Sequence, residues 1–216
     1  MAAEPQRESG SKVAIIGLGL IGGSIARDLA RAGGGVAGHD EDSSTLDAAC
    51  GEGVVHERLD ATLAGLESAD VVVIAVPVSG TAVVLRAAAP RLSAGNVRLI
   101  MDVGSTKRGA IEAAESVGGN IAERFVGAHP MAGDHRAGWA ASPRRLFAGV
   151  RVFLSATRSM RAEAMREAHH LWEALGARPL TMNAAVHDAM LAYTSHLPHI
   201  VSSALALAMG GTSGES

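Results

Sequence analysis

The chain has 216 residues, of which 48% are hydrophobic and 19% are charged, so it has enough apolar side chains for a sizeable core. Its formal net charge at pH 7 is −3, which argues against a basic surface that binds nucleic acid or an anionic membrane. The single cysteine, Cys50, excludes a disulfide framework within the chain and is typical of a reducing compartment.

Two segments indicate where in the cell the protein is located: the beginning of the chain and its most apolar late segment. Residues 1–11 are polar and lack the apolar region of a signal peptide, so we expect a mobile N-terminal arm. Residues 200–209 are apolar but fall short of the roughly 20 residues of a membrane span. These features predict a cytoplasmic protein without nucleic-acid or membrane partners.

A glycine-rich motif is the strongest pattern near the N-terminus. A short apolar run leads into Gly-x-Gly-x-x-Gly at Gly17, Gly19 and Gly22, followed by an alanine-rich helical segment. In a dinucleotide-binding turn the three glycines allow a tight turn, close approach of backbone to pyrophosphate, and close packing of helix on strand. The helix expected to begin near Leu20 directs free N–H groups, including that of Ile21, at the phosphates.

An acidic residue follows the next predicted strand. Residues 36–39 form this strand, and Asp40 comes about 20 residues after the glycines, where an acid binds a ribose 2′-hydroxyl. Because its charge repels a 2′-phosphate and no lysine or arginine adjoins it, we predict NAD rather than NADP. The alternative to a dinucleotide site is a glycine-rich turn that serves packing alone. Asp42 or Ser43 is expected to cap a helix that runs to about Cys50.

Strands and helices alternate further along the chain. Strands are predicted over residues 71–76, 97–101, 125–128, 151–154 and 178–181, and helices over 60–66, 80–89, from about 106, and over 160–175. The second of these helices is expected to end before Pro90. This alternation predicts an α/β fold with a doubly wound, mostly parallel sheet of the Rossmann type and helices on both faces.

Several chemically interesting residues directly follow predicted strands, and the carboxyl ends of parallel strands share the edge where ligands bind. Pro77, with Val78 and Ser79, is therefore expected to line the dinucleotide site. Ser105 either acts in the site, by orienting His129 or binding a substrate hydroxyl, or caps the helix that begins near Thr106. We interpret Lys107 as a surface charge on that helix.

His129 is the candidate catalytic residue. It precedes Pro130, which favours extended backbone and so places the histidine at a strand end. With an unperturbed pKa of about 6.5, its imidazole accepts a proton near neutral pH. The alternative is a histidine that makes only structural hydrogen bonds in a loop.

The pattern turns helical over residues 183–209, where Pro198 is able to kink or break the helix. We therefore predict a dinucleotide-binding domain over residues 12–181 and the first part of an apparently truncated helical domain over 182–216. Ser195, His196 and His199 cluster on this stretch. The His-x-x-His spacing is also found in metal sites, but no carboxylate or cysteine completes a convincing set of metal ligands here. We therefore expect a cluster that faces the substrate and binds no metal.

The chain resembles the prephenate/arogenate dehydrogenase family in four motifs. These are G-L-G-L-I-G-G-S from Gly17, D-V-G-S-T-K from Asp102, G-A-H-P-M-A-G from Gly127, and H-D followed by S-H-L-P-H between His187 and His199. The first is shared with many dehydrogenases, whereas the other three, in this order, are specific. Together they span nearly all of the chain after the N-terminal arm.

The resemblance implies an oxidative decarboxylation of prephenate or arogenate with hydride transfer to NAD, giving 4-hydroxyphenylpyruvate or tyrosine. His129 matches the catalytic histidine that draws the hydroxyl proton, and Ser105 the serine beside it. Ser195, His196 and His199 match the family's substrate-side helix. The family continues into helices that build a homodimer and supply an arginine to a substrate carboxylate, so the dimer is expected if those helices are present.

Two other functions remain open at this stage. A β-hydroxyacid-type dehydrogenase shares the first domain, but its lysine-centred catalytic motif would fall on the later helix, and residues 183–209 contain no lysine. A catalytically impaired NAD-binding fragment is the non-enzymatic alternative.

Overall fold

Eight strands form one sheet in a computed structural model that describes residues 11–133 and 136–210. The strands are β1 (Lys12–Ile16), β2 (Gly35–His39), β3 (Glu57–Arg58), β4 (Val71–Ile74), β5 (Leu99–Asp102), β6 (Phe125–Pro130), β7 (Arg151–Ala156) and β8 (Arg178–Thr181). Their order is β3-β2-β1-β4-β5-β6-β7-β8. The first six are parallel, β7 is antiparallel to β6, and β8 is parallel to β7. The predicted arm over residues 1–11 lies almost wholly outside the described residues.

The helices lie on both faces of the sheet. They are α1 (Leu20–Arg31), α2 (Ser43–Gly51), α3 (Val78–Ala94), α4 (Arg108–Val117), α5 (Gly119–Arg124), α6 (Ala162–Ala174), α7 (Ala184–Leu191) and α8 (Leu197–Gly210). Strand residues alternate between two buried clusters: Val13 and Ile15 pack with α1, α2 and α6, whereas Ala14 and Ile16 pack with α3, α4 and α5. The predicted doubly wound, mostly parallel α/β fold with a helical C-terminal part is confirmed.

The helix predicted over residues 60–66 is wrong, because the segment forms turns. The Asp60 carboxylate accepts hydrogen bonds from the backbone N–H groups of Thr62 and Ala64, and Leu63 has a φ of 56°. Aspartate offers its own backbone this alternative to a helix. Only a short 3-10 turn follows, over Leu66–Ser68.

The helix predicted to end before Pro90 is also wrong, since α3 continues to Ala94 with Pro90 inside it. Proline removes the bond to the carbonyl four residues earlier, and both Pro90 and Arg86 are exposed, so water is able to satisfy that carbonyl. On the opposite side Leu85 and Leu92 are fully buried. Burial of this face holds the helix together across the proline.

The C-terminal segment is helical and passes Pro198 without a break. A π-helical stretch, Ala192–His196, connects α7 to α8 and ends two residues before the proline. α8 presents large apolar side chains to solvent: Leu197, Ile200, Val201, Leu205, Leu207 and Met209. Within residues 11–133 and 136–210, no helix is long and apolar enough to cross a membrane.

Candidate active site

The glycine motif forms a tight turn between β1 and α1. Gly17 has a φ of 93°, and a Cβ added there would lie 2.5 Å from the carbonyl oxygen of Ala75, so only glycine fits. A Cβ on Gly22 would overlap the carbonyl oxygen of Gly17. Around Gly19, in contrast, a Cβ would meet no atom within 4 Å, which leaves open space at the start of α1.

A cavity of about 590 Å³ lies beside this turn. Its lining includes Gly17, Gly19, His39, Asp40, Glu41, Pro77, Ser79 and Val83. Leu20 and Ile21 open α1 without lining the cavity itself, and no described side chain caps that helix at its N-cap position. The N-terminus of α1 therefore offers backbone N–H groups to an anion. These residues fit a dinucleotide.

Asp40 is oriented by the backbone around it. One carboxylate oxygen accepts a hydrogen bond from Leu18 N–H at 2.7 Å, and the other accepts from Asp42 N–H at 2.9 Å. A carboxylate has about four acceptor sites, so these two hydrogen bonds leave Asp40, which lines the cavity, with further acceptor capacity. Among the described residues that line the cavity there is no lysine or arginine.

A second cavity, of about 490 Å³, brings together the residues predicted to act on a substrate. Ser105 comes from the loop after β5 and His129 from the end of β6, while Ser195, His196 and His199 come from the π-helical stretch and α8. Two places at the sheet edge and the C-terminal helical segment therefore meet at one cavity. In the described ranges, no group of three or more histidine, cysteine or acidic side chains is placed to hold a metal ion.

His129 is the first member of a chain of three hydrogen-bonded side chains. Its Nδ1 lies 2.9 Å from Nε2 of His187, and Nδ1 of His187 lies 2.7 Å from a carboxylate oxygen of Asp188. His187 is fully buried, and its ring also packs edge-on against Phe153. Neither His187 nor Asp188 is among the site residues predicted from the sequence.

Asp188 also caps α4. Its two carboxylate oxygens accept hydrogen bonds from the backbone N–H groups of Lys107, at 2.8 Å, and Arg108, at 3.0 Å. The reading of Ser105 as the cap of a helix beginning near Thr106 is therefore wrong: α4 begins at Arg108, and its cap comes from 80 residues away. Ser105 itself is exposed at the second cavity.

Lys107 is not a surface charge. Its side chain is fully buried, and its Nζ lies 2.5 Å from Asp102 Oδ2, which also accepts Gly104 N–H at 3.0 Å. The absent side chain of Gly127 leaves room for this pair, since a Cβ there would approach Lys107 Cδ to 3.2 Å. Burial lowers the pKa of Lys107 and raises that of Asp102, while the attraction between them opposes both shifts.

The pKa of His129 is lowered from 6.5 to about 4, mainly by burial and further by the neighbouring His187, Lys107 and His196, against the attraction of Asp188. The ring is therefore neutral at pH 7. Its Nδ1 is engaged by His187, and the residue lines the second cavity. A neutral imidazole in this position is able to accept a proton from a bound hydroxyl.

Comparison with known proteins identifies the family. The sequence model described as "Prephenate dehydrogenase, nucleotide-binding domain" matches residues 25–181. The chain belongs to the prephenate dehydrogenase family. The resemblance found from the four motifs is thereby confirmed.

Relatives of known name agree with this assignment. The chain is 35% identical over 197 residues to a prephenate dehydrogenase of Bacillus subtilis, covering 89% of this chain and 52% of that protein. It is 34% identical over 201 residues to a cyclohexadienyl dehydrogenase of Zymomonas mobilis, covering 88% and 64%. The chain thus spans about half the length of the first prephenate dehydrogenase relatives it matches.

Solved structures of this family share the fold. Prephenate dehydrogenase of Aquifex aeolicus, in complex with hydroxyphenyl propionate and NAD+, superimposes with a TM-score of 0.83 at 29% identity, covering 93% of this chain and 70% of that one. An arogenate dehydrogenase of Synechocystis superimposes with a TM-score of 0.77, also at 29% identity, covering 95% and 70%.

Proposed function

We propose that this chain carries the dinucleotide site and part of the substrate site of an NAD-dependent dehydrogenase that oxidatively decarboxylates prephenate or arogenate. The observation that carries the proposal is the position of His129: a neutral histidine, hydrogen-bonded through Nδ1, shares a cavity with Ser105 at the carboxyl edge of the sheet. The Aquifex relative, which is named as a complex with NAD+ and a hydroxyphenyl acid, supports a nicotinamide cofactor and a ring substrate of this kind.

The chemistry divides between the cofactor and the protein. When bound, NAD supplies the acceptor for the hydride from the ring carbon that bears the hydroxyl group. Nε2 of His129 takes the hydroxyl proton as that carbon becomes a carbonyl, and loss of carbon dioxide then makes the ring aromatic. Ser105 binds the same hydroxyl and holds it toward the histidine. General base catalysis of this kind contributes about 10²–10⁴-fold in rate.

We assign NAD rather than NADP on the charges around the first cavity. Asp40 and Glu41 line it, and no lysine or arginine does so among the described residues. Both acids repel a 2′-phosphate, whereas Asp40 accepts a ribose hydroxyl. The first turn of α1 carries the pyrophosphate.

We also propose a boundary near residue 182, with residues 12–181 binding the dinucleotide and 182–216 beginning a helical substrate and dimerisation domain. The family match ends at residue 181. Ser195, His196 and His199 then form the substrate-side wall of the second cavity. We also propose a location in the cytoplasm, and a homodimer where the family's further C-terminal helices are present.

Production of NADH from prephenate or arogenate tests the function. We expect turnover with one of them, and a loss of about 10²–10⁴-fold in kcat for His129→Asn, with NAD binding retained. Turnover of a 3-hydroxy acid instead would favour a β-hydroxyacid dehydrogenase. Tight NAD binding without turnover of any of these would identify an impaired NAD-binding fragment.

A further inference from the structure

We propose that His187 and Asp188 are positioning residues that keep hydrogen on Nδ1 of His129 and leave its Nε2 unprotonated toward the substrate cavity. The arrangement follows from the hydrogen-bonded chain His129–His187–Asp188. Its catalytic consequence rests on the proposed function, whereas the location of the hydrogen atoms is measurable without any turnover.

Asp188 determines which atoms donate and which accept in the hydrogen bonds that connect it to His187 and His129. Burial acts to raise the pKa of this carboxyl, but hydrogen bonds from Arg108 N–H, His187 and Lys107 N–H outweigh it and lower the pKa. An ionised carboxylate only accepts hydrogen bonds. The 2.7 Å contact therefore requires a hydrogen on Nδ1 of His187.

His187 passes this direction on to His129. A neutral imidazole with hydrogen on Nδ1 has its acceptor at Nε2, and that atom lies 2.9 Å from Nδ1 of His129. His129 must therefore donate through Nδ1. Since neutral His129 carries only one ring hydrogen, Nε2 holds a lone pair.

The opposite arrangement needs a positively charged His187, whose Nε2–H would force the hydrogen of His129 onto its own Nε2 and block the base. His187 is fully buried, and its ring packs edge-on against the rings of Phe153 and His129. Among the described residues, the charged or titratable groups that face this pair are Lys107 from the loop before α4, His196 from the π-helical stretch, and Asp188. Of these, only Asp188 carries a negative charge.

The same chain serves the step after proton transfer. When Nε2 of His129 takes the hydroxyl proton, its Nδ1–H stays bonded to His187, and the charge of Asp188 stabilises the imidazolium through that ring. A carboxylate that fixes a histidine tautomer in this way has large effects on catalysis in serine proteases.

Two substitutions at position 187 separate positioning from packing. In His187→Gln, the side-chain carbonyl accepts from His129 Nδ1 and the amide donates to Asp188, so the chain is retained. His187→Leu keeps apolar bulk but offers neither group. Circular dichroism and thermal unfolding check that each variant is folded.

Nitrogen-15 NMR of the imidazole rings in the full chain, without substrate, is the test. At pH 7 we expect His129 to show hydrogen on Nδ1 and none on Nε2 in the unsubstituted protein and in His187→Gln. We expect a mixture, or hydrogen on Nε2, in His187→Leu. A His129 ring protonated on Nε2 in the unsubstituted protein would overturn the proposal even if the leucine variant fails to fold, as would a leucine variant that keeps hydrogen on Nδ1 alone.

Kinetics provides a second measurement where the chain turns over. We expect His187→Leu to lower kcat by about 10²-fold with little change in KM, and His187→Gln to restore most of it. Equal losses in both variants, with an unchanged His129 tautomer, would contradict positioning and indicate packing alone. If no substrate turns over, the proposed function fails while the NMR result still decides the tautomer.

Discussion

The protonation of His129 is expected to make the free energy of unfolding depend on pH. Its pKa is about 4 in the folded chain, mainly because of burial, compared with an unfolded value of about 6.5. Between these values the unfolded chain binds a proton that the folded chain does not bind. The stability that neutral His129 provides is therefore complete above pH 6.5 and is lost as the pH falls toward 4.

We therefore expect the free energy of unfolding to fall by about 2–3 kcal/mol more for the unsubstituted chain than for His129→Asn between pH 6.5 and pH 4. Urea unfolding at several pH values measures this difference. Parallel curves for the two proteins would show that His129 titrates normally.

The buried pair of Lys107 and Asp102 predicts a large effect of a single substitution. Lys107→Met leaves the Asp102 carboxylate buried without its partner, and we expect a loss of about 3–5 kcal/mol in the free energy of unfolding. Lys12, whose Nζ bonds Glu57 near the surface, provides a matched control: Lys12→Met is expected to cost about 1 kcal/mol or less. Equal effects in urea unfolding would contradict a buried ion pair.

At the scale of elements, local rules gave correct results where they act alone. The glycine turn and α1 follow from residues adjacent in sequence, and α1 begins at the predicted Leu20. The errors arose where a side chain or tertiary packing overrides propensity. Asp60 bonds its own backbone and prevents a helix, whereas burial of Leu85 and Leu92 carries α3 through Pro90.

The apolar surface of α8 predicts association of this chain. Leu205 is 59% exposed and Leu207 is 79% exposed, and a soluble protein rarely leaves such a surface uncovered. We expect light scattering after gel filtration to show a species larger than a monomer, and the double variant Leu205→Glu, Leu207→Glu to restore the monomer.

Val186 on α7 is 58% exposed and provides the control, since Val186→Glu is expected to leave the associated state unchanged. A monomeric unsubstituted chain at high concentration would contradict the prediction.

For the whole molecule, one geometric fact brings the two cavities to the same edge: β1, β4, β5 and β6 are all parallel. The shared direction of these strands was predictable, because strands that alternate with helices form a parallel sheet. The buried pair and the His129–His187–Asp188 chain were not. Their partners are brought together only by the fold. The signals in the sequence were Asp102, an acid directly after the strand predicted over residues 97–101, and the adjacent His187 and Asp188 in a helical segment.

The dinucleotide site predicts stabilisation by NAD. A ligand that binds only the folded chain stabilises it by about 2.7 kcal/mol at 100 times its Kd, so we expect NAD to raise the Tm and NADP to do so much less. Asp40→Asn is expected to weaken NAD binding about tenfold, through loss of a charged hydrogen bond, and to narrow the preference between the two. Equal Tm shifts for both cofactors would contradict the assignment of NAD.

The cap that Asp188 places on α4 connects the C-terminal helical segment to the sheet region, so the start of α4 depends on a residue of α7. The first N–H groups of α4 are held by a carboxylate from beyond the sheet, and the loop that carries Ser105 leads directly into them. A cut after residue 181 would therefore do more than remove a wall of the second cavity. It would also remove the carboxylate that fixes the end of the loop carrying Ser105. We therefore expect residues 12–181, expressed alone, to hold this loop less rigidly than the longer chain does.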